Sequence, residues 1–319
     1  MTDLQKKKYR ASAIVLGHNQ SHCIEKAIYS VLNQNFDGLE VILSDNGSKD
    51  STFDIMTSIA KSYKGPHKII LNRNIEDIGF IGHLNQLFNL ASGSFIFYNP
   101  GDDVSIQGRF KKIWEEYKRT NALLVHSDVM MVDLDGKELG IKSSSAKNLK
   151  DFSIYKVSQA FDLCIGATCG WDKDIFNFFG SISEPDTYDD LILYFRATLA
   201  GNKIGYIKEP LMYYTVGSGM TNTKAINDIE ILNKLARNAK IQIGTLKQRL
   251  KDCNKLKPTY YRIKLLLKFR IYFAMGIDKF YNGATFISIL KTLNPITYFG
   301  YFWAKNQLKK FNIPPVGKS

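Results

Sequence analysis

The stretch SFIFYNPGDD, residues 94–103, decides the fold. Phe95, Ile96, Phe97 and Tyr98 are strand formers with no polar alternation, as expected for a strand covered on both faces of a sheet. They run into Asn99-Pro100-Gly101, a turn, and then into two adjacent carboxylates, Asp102 and Asp103. Open α/β sheets bind their ligands at the carboxyl ends of strands. Two acids there, with no basic residue before Arg109, make an unfavourable resting place for like charge. A divalent cation, Mg²⁺ or Mn²⁺, would relieve it. Taken alone, the pair reads first as a solvated acidic turn, because acidic turns are common. The neighbouring segments decide between the two.

Upstream, 11–16 (ASAIVL) is a buried strand broken by Gly17-His18-Asn19-Gln20, and Ser21 can cap a helix to about Gln34. Ile24, Ala27, Ile28, Val31 and Leu32 recur on one face of that helix. A second strand, 39–44, ends in Asp45-Asn46-Gly47-Ser48, a turn-forming run. A helix follows with Ile55, Met56, Ile59, Ala60 and Tyr63 inward; then come a third strand at 68–72 and a helix opened by Gly79. Strand and helix thus alternate with short connections, which predicts a mainly parallel sheet flanked by helices. His18 and Asn19, Asp45, and Asp102 with Asp103 then fall on one edge of the sheet, as a nucleotide site requires. Neither GxGxxG nor GxxxxGK[ST] occurs, so the dinucleotide and P-loop readings lack their fingerprints.

Downstream, a helix holds Phe110, Ile113, Trp114 and Tyr117 on one face, and 122–128 is a strand. Asp135-Gly136 predicts a hairpin between 130–134 and 137–141. The polar connection 142–153 leads to 163–171, expected as a strand. In 183–201 (SEPDTYDDLILYFRATLAG), Asp189 and Asp190 occupy the first turn of a helix that Gly201 ends. Acids at a helix start also suit the dipole alone. Strands are expected at 203–207 and 211–216.

Composition bounds the class. The 319 residues are 45% hydrophobic, enough for one large α/β domain and an appendage. Four cysteines, with no CxxC, fit a reduced cytoplasmic compartment, and the basic N-terminus has no apolar signal segment. The net charge of +13 is concentrated: residues 221–319 carry 19 Lys and Arg against 4 acids, and the first 220 carry 24 against 26. The body is therefore no nucleic-acid surface, and the tail is a distinct module.

The ordered segments together resemble glycosyltransferase family 2, inverting enzymes with a GT-A fold. AIVLGHNQSHCIEKAIYSVLNQ (13–34) is similar to the family's opening strand, Asn-bearing loop and helix. VILSDNGSKDST (41–52) is similar to its D-D-G-S-x-D segment, and IGFIGHLNQLFNLASGSFIF (78–97) to the stretch ending in A-x-G and the next strand. NPGDD sits where the family has D-x-D. VHSDVMMVDLDGKELG (125–140) and the segment from Tyr188 to Thr221 match later parts, the second carrying the family's E-D pair as Asp189-Asp190.

The resemblance implies a GT-A, Rossmann-like domain over 1–221, with a nucleotide-binding half to about 103 and an acceptor half from 104, and a helical basic extension over 222–319. It implies that Asp45 binds a nucleotide base, with His18 and Asn19 lining the pocket; for His18 a capped strand end is an equal reading. Asn85 falls near the diphosphate. Asp102 would ligate Mn²⁺ or Mg²⁺, Asp103 would lie close to the sugar, and Asp190, or else Asp189, would be the general base. Two departures stand out. Pro100 replaces the first Asp of D-x-D, and the histidine often found after the last strand is absent from TVGSGMT, which leaves Asp102 as the protein's metal ligand.

The implied activity is transfer of a sugar from a nucleotide-sugar, a UDP-sugar foremost, to a lipid-linked surface glycan of the O-antigen or capsule type. A sugar nucleotidyltransferase is the alternative enzyme, but GHNQ is not the Gly-rich basic loop it needs. A non-enzymatic membrane adaptor is the alternative suggested by the tail. There, 224 to about 257 reads as helical, 255–279 interleaves cations with Leu, Ile, Phe and Tyr, and 292–304 is an uncharged aromatic run too short to span a bilayer. Basic segments interleaved with aromatics suit an anionic membrane surface, which places the protein peripherally on the inner face of the cytoplasmic membrane.

Overall fold

The computed structural model describes residues 9–145, 153–217, 228–256, 260–284, 288 and 294–310. They form two compact units: one comprises 1–154, 162–182 and 189–222, the other 155–161, 183–188 and 223–319.

The first unit is built on a sheet whose central strands are buried end to end. These are β1 (Ala11–Gly17), β2 (Leu39–Asn46) and β4 (Phe95–Pro100), as unalternated apolar runs require. β3 (Lys68–Asn74) lies at the edge, and all but Asn74 is exposed or only part-buried. Helices α1 (Ile24–Leu32), α2 (Thr52–Ser62) and α3 (Phe80–Leu90) connect them. The remaining elements are β5 (Val104–Ser105), α4 (Arg109–Thr120), β6 (Leu124–Val132), β7 (Glu138–Lys142), the short α5 (Ile154–Val157), β8 (Gly170–Asp172), α6 (Asp174–Phe179), α7 (Asp189–Leu199) and β9 (Ile204–Thr215). Nine strands make one sheet in the order β3-β2-β1-β4-β8-β6-β9-β5, with β7 hairpinned on β6. The fold is mixed α/β with a mainly parallel first half.

The order explains where a site can form. From β1 the chain moves outward to β2 and β3, then crosses back to pair β4 on the other side of β1. The connections diverge between β1 and β4, which opens a crevice at their carboxyl ends. Register aligns those ends: Leu16 pairs Pro100, and Gly17 pairs Asp45, which pairs Arg73.

Four local expectations need correction. Ser21 does not cap α1; the helix starts at Ile24 after Cys23, and the Ser21 side chain and N–H both turn to Asp50, the N–H donating to Oδ2 at 3.0 Å. Residues 163–171 are not one strand. A 3₁₀ turn occupies Gly166–Thr168, closed by the Thr168 hydroxyl donating to the Ile165 carbonyl at 2.8 Å, and only Gly170–Asp172 pairs in the sheet. The two strands expected at 203–207 and 211–216 are one, β9. The step from Ser127↔Ile207 to Asp128↔Pro210 leaves Lys208 and Glu209 as a bulge, where proline's missing N–H costs no ladder bond. β5 and α6 were not predicted; two and six residues are too short to carry a period.

The second unit is helical: α8 (Asp228–Asn254), α9 (Tyr261–Tyr281) and α10 (Pro295–Lys310). Its core gathers Ala239, Ile277, Phe280, Tyr281 and Ala304. α9 and α10 cross where Gly276 meets Gly300: a Cβ on either would overlap the carbonyl oxygen of Thr297 or of Phe273. The buried Arg249 guanidinium donates to the Ala160 carbonyl at 2.8 Å and the Ser158 carbonyl at 3.1 Å. Among the described residues no helix is long and apolar enough to cross a membrane.

Candidate active site

The loop after β1 is stitched to the loop after β2. Asn19 takes a left-handed φ of 52°, donates its N–H to Ser48 Oγ at 2.8 Å and accepts from the Lys49 N–H at 2.9 Å. His18 Nδ1 lies 2.9 Å from the Asn46 carbonyl oxygen, and Nε2 lies 3.0 Å from Asn19 Nδ2. Those neighbours assign the proton to Nδ1 and leave Nε2 as acceptor. Both side chains are exposed at the mouth.

Asp45 is fully buried at the end of β2. Its Oδ2 accepts from the Ser48 N–H at 3.1 Å and faces Arg73 Nε at 3.7 Å. Its Oδ1 is buried and has no hydrogen-bond partner. Buried acceptors are rarely left unpaired, so this oxygen is suited to an N–H brought by a ligand.

Gly101 turns the chain past β1 so closely that a Cβ there would come within 2.6 Å of the Leu16 carbonyl oxygen. Beyond it the two acids part. Asp103 is buried, and its Oδ1 accepts the Thr215 N–H at 3.0 Å. Asp102 is half-buried, and its carbonyl accepts the Thr215 hydroxyl at 2.7 Å. Thr215, the last residue of β9, thus fixes the turn that presents both carboxylates.

Behind this turn stands Arg109, fully buried at the start of α4. It donates to Ser105 Oγ at 2.8 Å, to the Tyr98 carbonyl at 2.8 Å and to the Ala167 carbonyl at 3.0 Å. One side chain therefore holds the end of β4, β5 and the 3₁₀ turn together. Burial lowers its pKa to about 10, which leaves it charged at neutral pH.

Asp189 and Asp190 open α7. Asp189 is buried, its Oδ2 has no hydrogen-bond partner, and burial with the neighbouring Asp190 charge pushes its pKa up to about 8. It holds a proton at neutral pH. Asp190 is half-buried and accepts the Leu191 N–H at 2.7 Å. Gly166 lies against it: a Cβ at that glycine would sit 3.3 Å from Asp190 Cβ.

Tyr98 shows which acids come together. Its hydroxyl is buried, and its pKa is raised first by burial and then by the charges of Asp189, Asp102, Asp103 and Asp190. Four carboxylates from two distant segments thus lie within electrostatic reach of one tyrosine near the end of β4. Burial, then Asp102, raises Asp103 as well. Asp45 belongs to the adjoining part of the same sheet edge, with β1 between. Asn85 is otherwise engaged: its Nδ2 donates to the Ile182 carbonyl at 2.8 Å, and its Oδ1 accepts the Ile182 N–H at 2.9 Å. It clamps the chain shortly before α7.

The donor chemistry fits a hard cation held by few protein ligands. No group of three His, Cys, Asp or Glu among the described residues could by itself hold a metal ion. With Asp103 accepting the Thr215 N–H, the half-buried Asp102 is the carboxylate that could ligate such a cation, and the remaining positions would come from ligand phosphates and water. The accumulation of acid around Tyr98 is what such a cation would offset.

Tyr98, Arg109, Thr215 and Gly166 went unmarked as site residues in the sequence. Their signal is purely tertiary: a buried guanidinium reaching 58 residues along the chain, and a backbone N–H 112 residues from the acid it bonds.

A family model, Glycosyl transferase family 2, matches residues 12–176, just over half the chain. Over 158 residues the chain is 32% identical to the Campylobacter jejuni GalNAc(5)-diNAcBac-PP-undecaprenol beta-1,3-glucosyltransferase, a match covering 48% of this chain and 50% of that protein. The chain thus spans about half the length of that curated relative. It is 30% identical over 92 residues to the Escherichia coli UDP-Glc:alpha-D-GlcNAc-diphosphoundecaprenol beta-1,3-glucosyltransferase WfaP, covering 29% and 35% of the two chains. Two solved structures share the fold. One is S. aureus TarS 1-349 in complex with UDP-GlcNAc, with 17% identity, TM-score 0.54, and 85% and 81% of the two chains covered. The other is the mannosyltransferase PcManGT from Pyrobaculum calidifontis in complex with GDP-Man and Mn²⁺, with 14% identity, TM-score 0.55, and 94% and 84% covered.

Proposed function

Because the chain belongs to glycosyl transferase family 2, we propose that it is a metal-dependent inverting glycosyltransferase. It moves a sugar from a nucleotide-sugar donor, a UDP-sugar foremost, to a hydroxyl of a lipid-linked surface glycan. The single observation that carries the reading is the gathering of Asp102, Asp103, Asp189 and Asp190 around Tyr98. It supplies carboxylates for a cation and for a base within one site. The undecaprenol-linked substrates in the names of two relatives support the acceptor class, and the UDP-GlcNAc complex of a structural neighbour supports the donor class. Work at such an acceptor belongs on the inner face of the cytoplasmic membrane.

In this reading the unpaired Oδ1 of Asp45 accepts the N–H of a pyrimidine base, and Arg73 faces the other oxygen of that carboxylate. His18 and Asn19 line the pocket mouth. Asp102 would hold Mn²⁺ or Mg²⁺, whose chemistry when bound is to neutralise charge growing on the departing nucleoside diphosphate. Asp103, locked by Thr215, sets the direction of Asp102 and lies on the sugar side. Asn85 positions the approach to α7 through Ile182.

Asp190 takes the proton from the acceptor hydroxyl as that oxygen attacks the anomeric carbon opposite the leaving group. One displacement inverts the configuration there. Asp189 is protonated at neutral pH, which leaves the base role to its neighbour. A proton on Asp189 also keeps a second negative charge from crowding Asp190.

The test is Asp190→Asn. Transfer is expected to fall by at least about 10²-fold, with donor dissociation constants within about twofold of wild type. Retained transfer would remove Asp190 from the base role, and lost donor binding would move it to the donor side.

A further inference from the structure

Among the described residues, the helical unit carries an apolar face that its own core does not bury. On α9, Tyr261, Leu265, Phe269 and Tyr272 are 62%, 50%, 50% and 42% exposed, whereas Ile263, Leu267, Ile271 and Ala274 are buried. At 3.6 residues per turn the four exposed residues fall within an arc of about 80°. Lys264 and Lys268 border one side of that arc and Arg262 the other. α10 presents Phe299 and Trp303, 69% and 46% exposed, one turn apart on one face.

Charge distinguishes the possible occupants. Residues 260–310 contain nine Lys and Arg and one acid, Asp278, which lies on the opposite side of α9 from the stripe. A second copy of the face would set these cations against their own counterparts, with no carboxylate to offset them. A nucleic acid would meet the cations but would leave Leu265 and Phe269 without a role. A bilayer containing anionic lipid uses both features. The aromatic and aliphatic side chains enter the headgroup–acyl boundary, and the lysines and arginine stay at the level of the lipid phosphates. The 21 residues of α9 are too charged to cross the bilayer, and a helix of this kind lies in its plane.

We propose that the Tyr261, Leu265, Phe269 and Tyr272 face of α9, bordered by Arg262, Lys264 and Lys268, is the surface on which this protein docks to anionic membrane, with Phe299 and Trp303 of α10 as a second contact. The inference rests on the membrane half of the function proposed above, and names its surface; it is independent of the transfer reaction.

The experiment is co-sedimentation of the full chain with vesicles of phosphatidylcholine, alone or mixed with phosphatidylglycerol. Three proteins are compared: wild type, Leu265→Ser with Phe269→Ser, and Lys264→Glu with Lys268→Glu. Thermal unfolding and UDP binding are measured on each as controls for folding. Wild type is expected to sediment with the mixed vesicles and not with phosphatidylcholine alone. Both double variants are expected to keep their unfolding transition and UDP affinity, and to partition at least about tenfold more weakly. If all three proteins bind equally, the docking surface is overturned while the membrane location stands. If wild type ignores the mixed vesicles, both fall. If wild type is a dimer that Leu265→Ser with Phe269→Ser dissociates, the stripe is a self-association face and the proposal is overturned. None of these outcomes bears on catalysis, so the transferase reading is tested separately.

Discussion

Two adjacent aspartates, 189 and 190, face different surroundings, and that difference supports the roles proposed for them. Asp189 is buried, and its pKa is pushed up to about 8; unfolded, it would titrate near the ordinary carboxylate value of 3.8. Between those values the folded state holds a proton that the unfolded state has lost, so raising the pH favours unfolding. Asp189→Asn, which mimics the protonated form, is therefore expected to flatten the fall in stability between about pH 4 and pH 8. His83 and His126 act in the opposite sense. Burial lowers them to about 4 and about 3, so they withdraw stability as pH falls below about 6.5. The difference between wild type and variant, from thermal unfolding at a series of pH values, isolates the aspartate. Parallel curves would show that Asp189 titrates normally. The positions of these acids were legible in the sequence as polar residues at strand and helix ends. Their separation into a buried and a half-buried carboxylate was not, because their neighbours Tyr98, Cys164 and Gly166 come from other parts of the chain.

At the level of elements, the site depends on Arg109 more than on any acid. It satisfies carbonyl or hydroxyl oxygens of Tyr98, Ser105 and Ala167 within a fully buried space. Arg109→Met would fill the volume and leave those oxygens without donors, at about 1–3 kcal/mol for each one left unsatisfied. A loss of at least about 3 kcal/mol in urea unfolding is expected, with Arg109→Lys intermediate because a lysine lacks the planar fork. Unchanged stability would show that water replaces the guanidinium. The alternation of β1 to β4 with α1 to α3 could be read directly, since buried runs and one-faced helices each have a period. β5, α6 and the 3₁₀ turn have none, yet these short pieces are what Arg109 and Thr215 tie to the acidic turn. The bulge at Lys208-Glu209 was read as a break between strands for the same reason: the pattern lapses locally while the ladder resumes from Pro210.

On the scale of the whole chain, two modules of opposite electrostatic character serve one proposed task. The first 220 residues are near charge balance but collect acid at one sheet edge. The last 99 are strongly basic and carry exposed aromatics. An acid-rich site repels a diphosphate unless a cation mediates, so the proposed donor and the proposed metal must bind together. The linkage is measured most directly by calorimetric titration of UDP into wild type and into Asp102→Ala, each with and without Mn²⁺. A cation held by Asp102 requires wild-type affinity to rise at least about tenfold when Mn²⁺ is added, and the gain to vanish in Asp102→Ala. Equal Mn²⁺ enhancement in the two proteins, or none in wild type, would contradict a metal-assisted nucleotide site at this edge of the sheet.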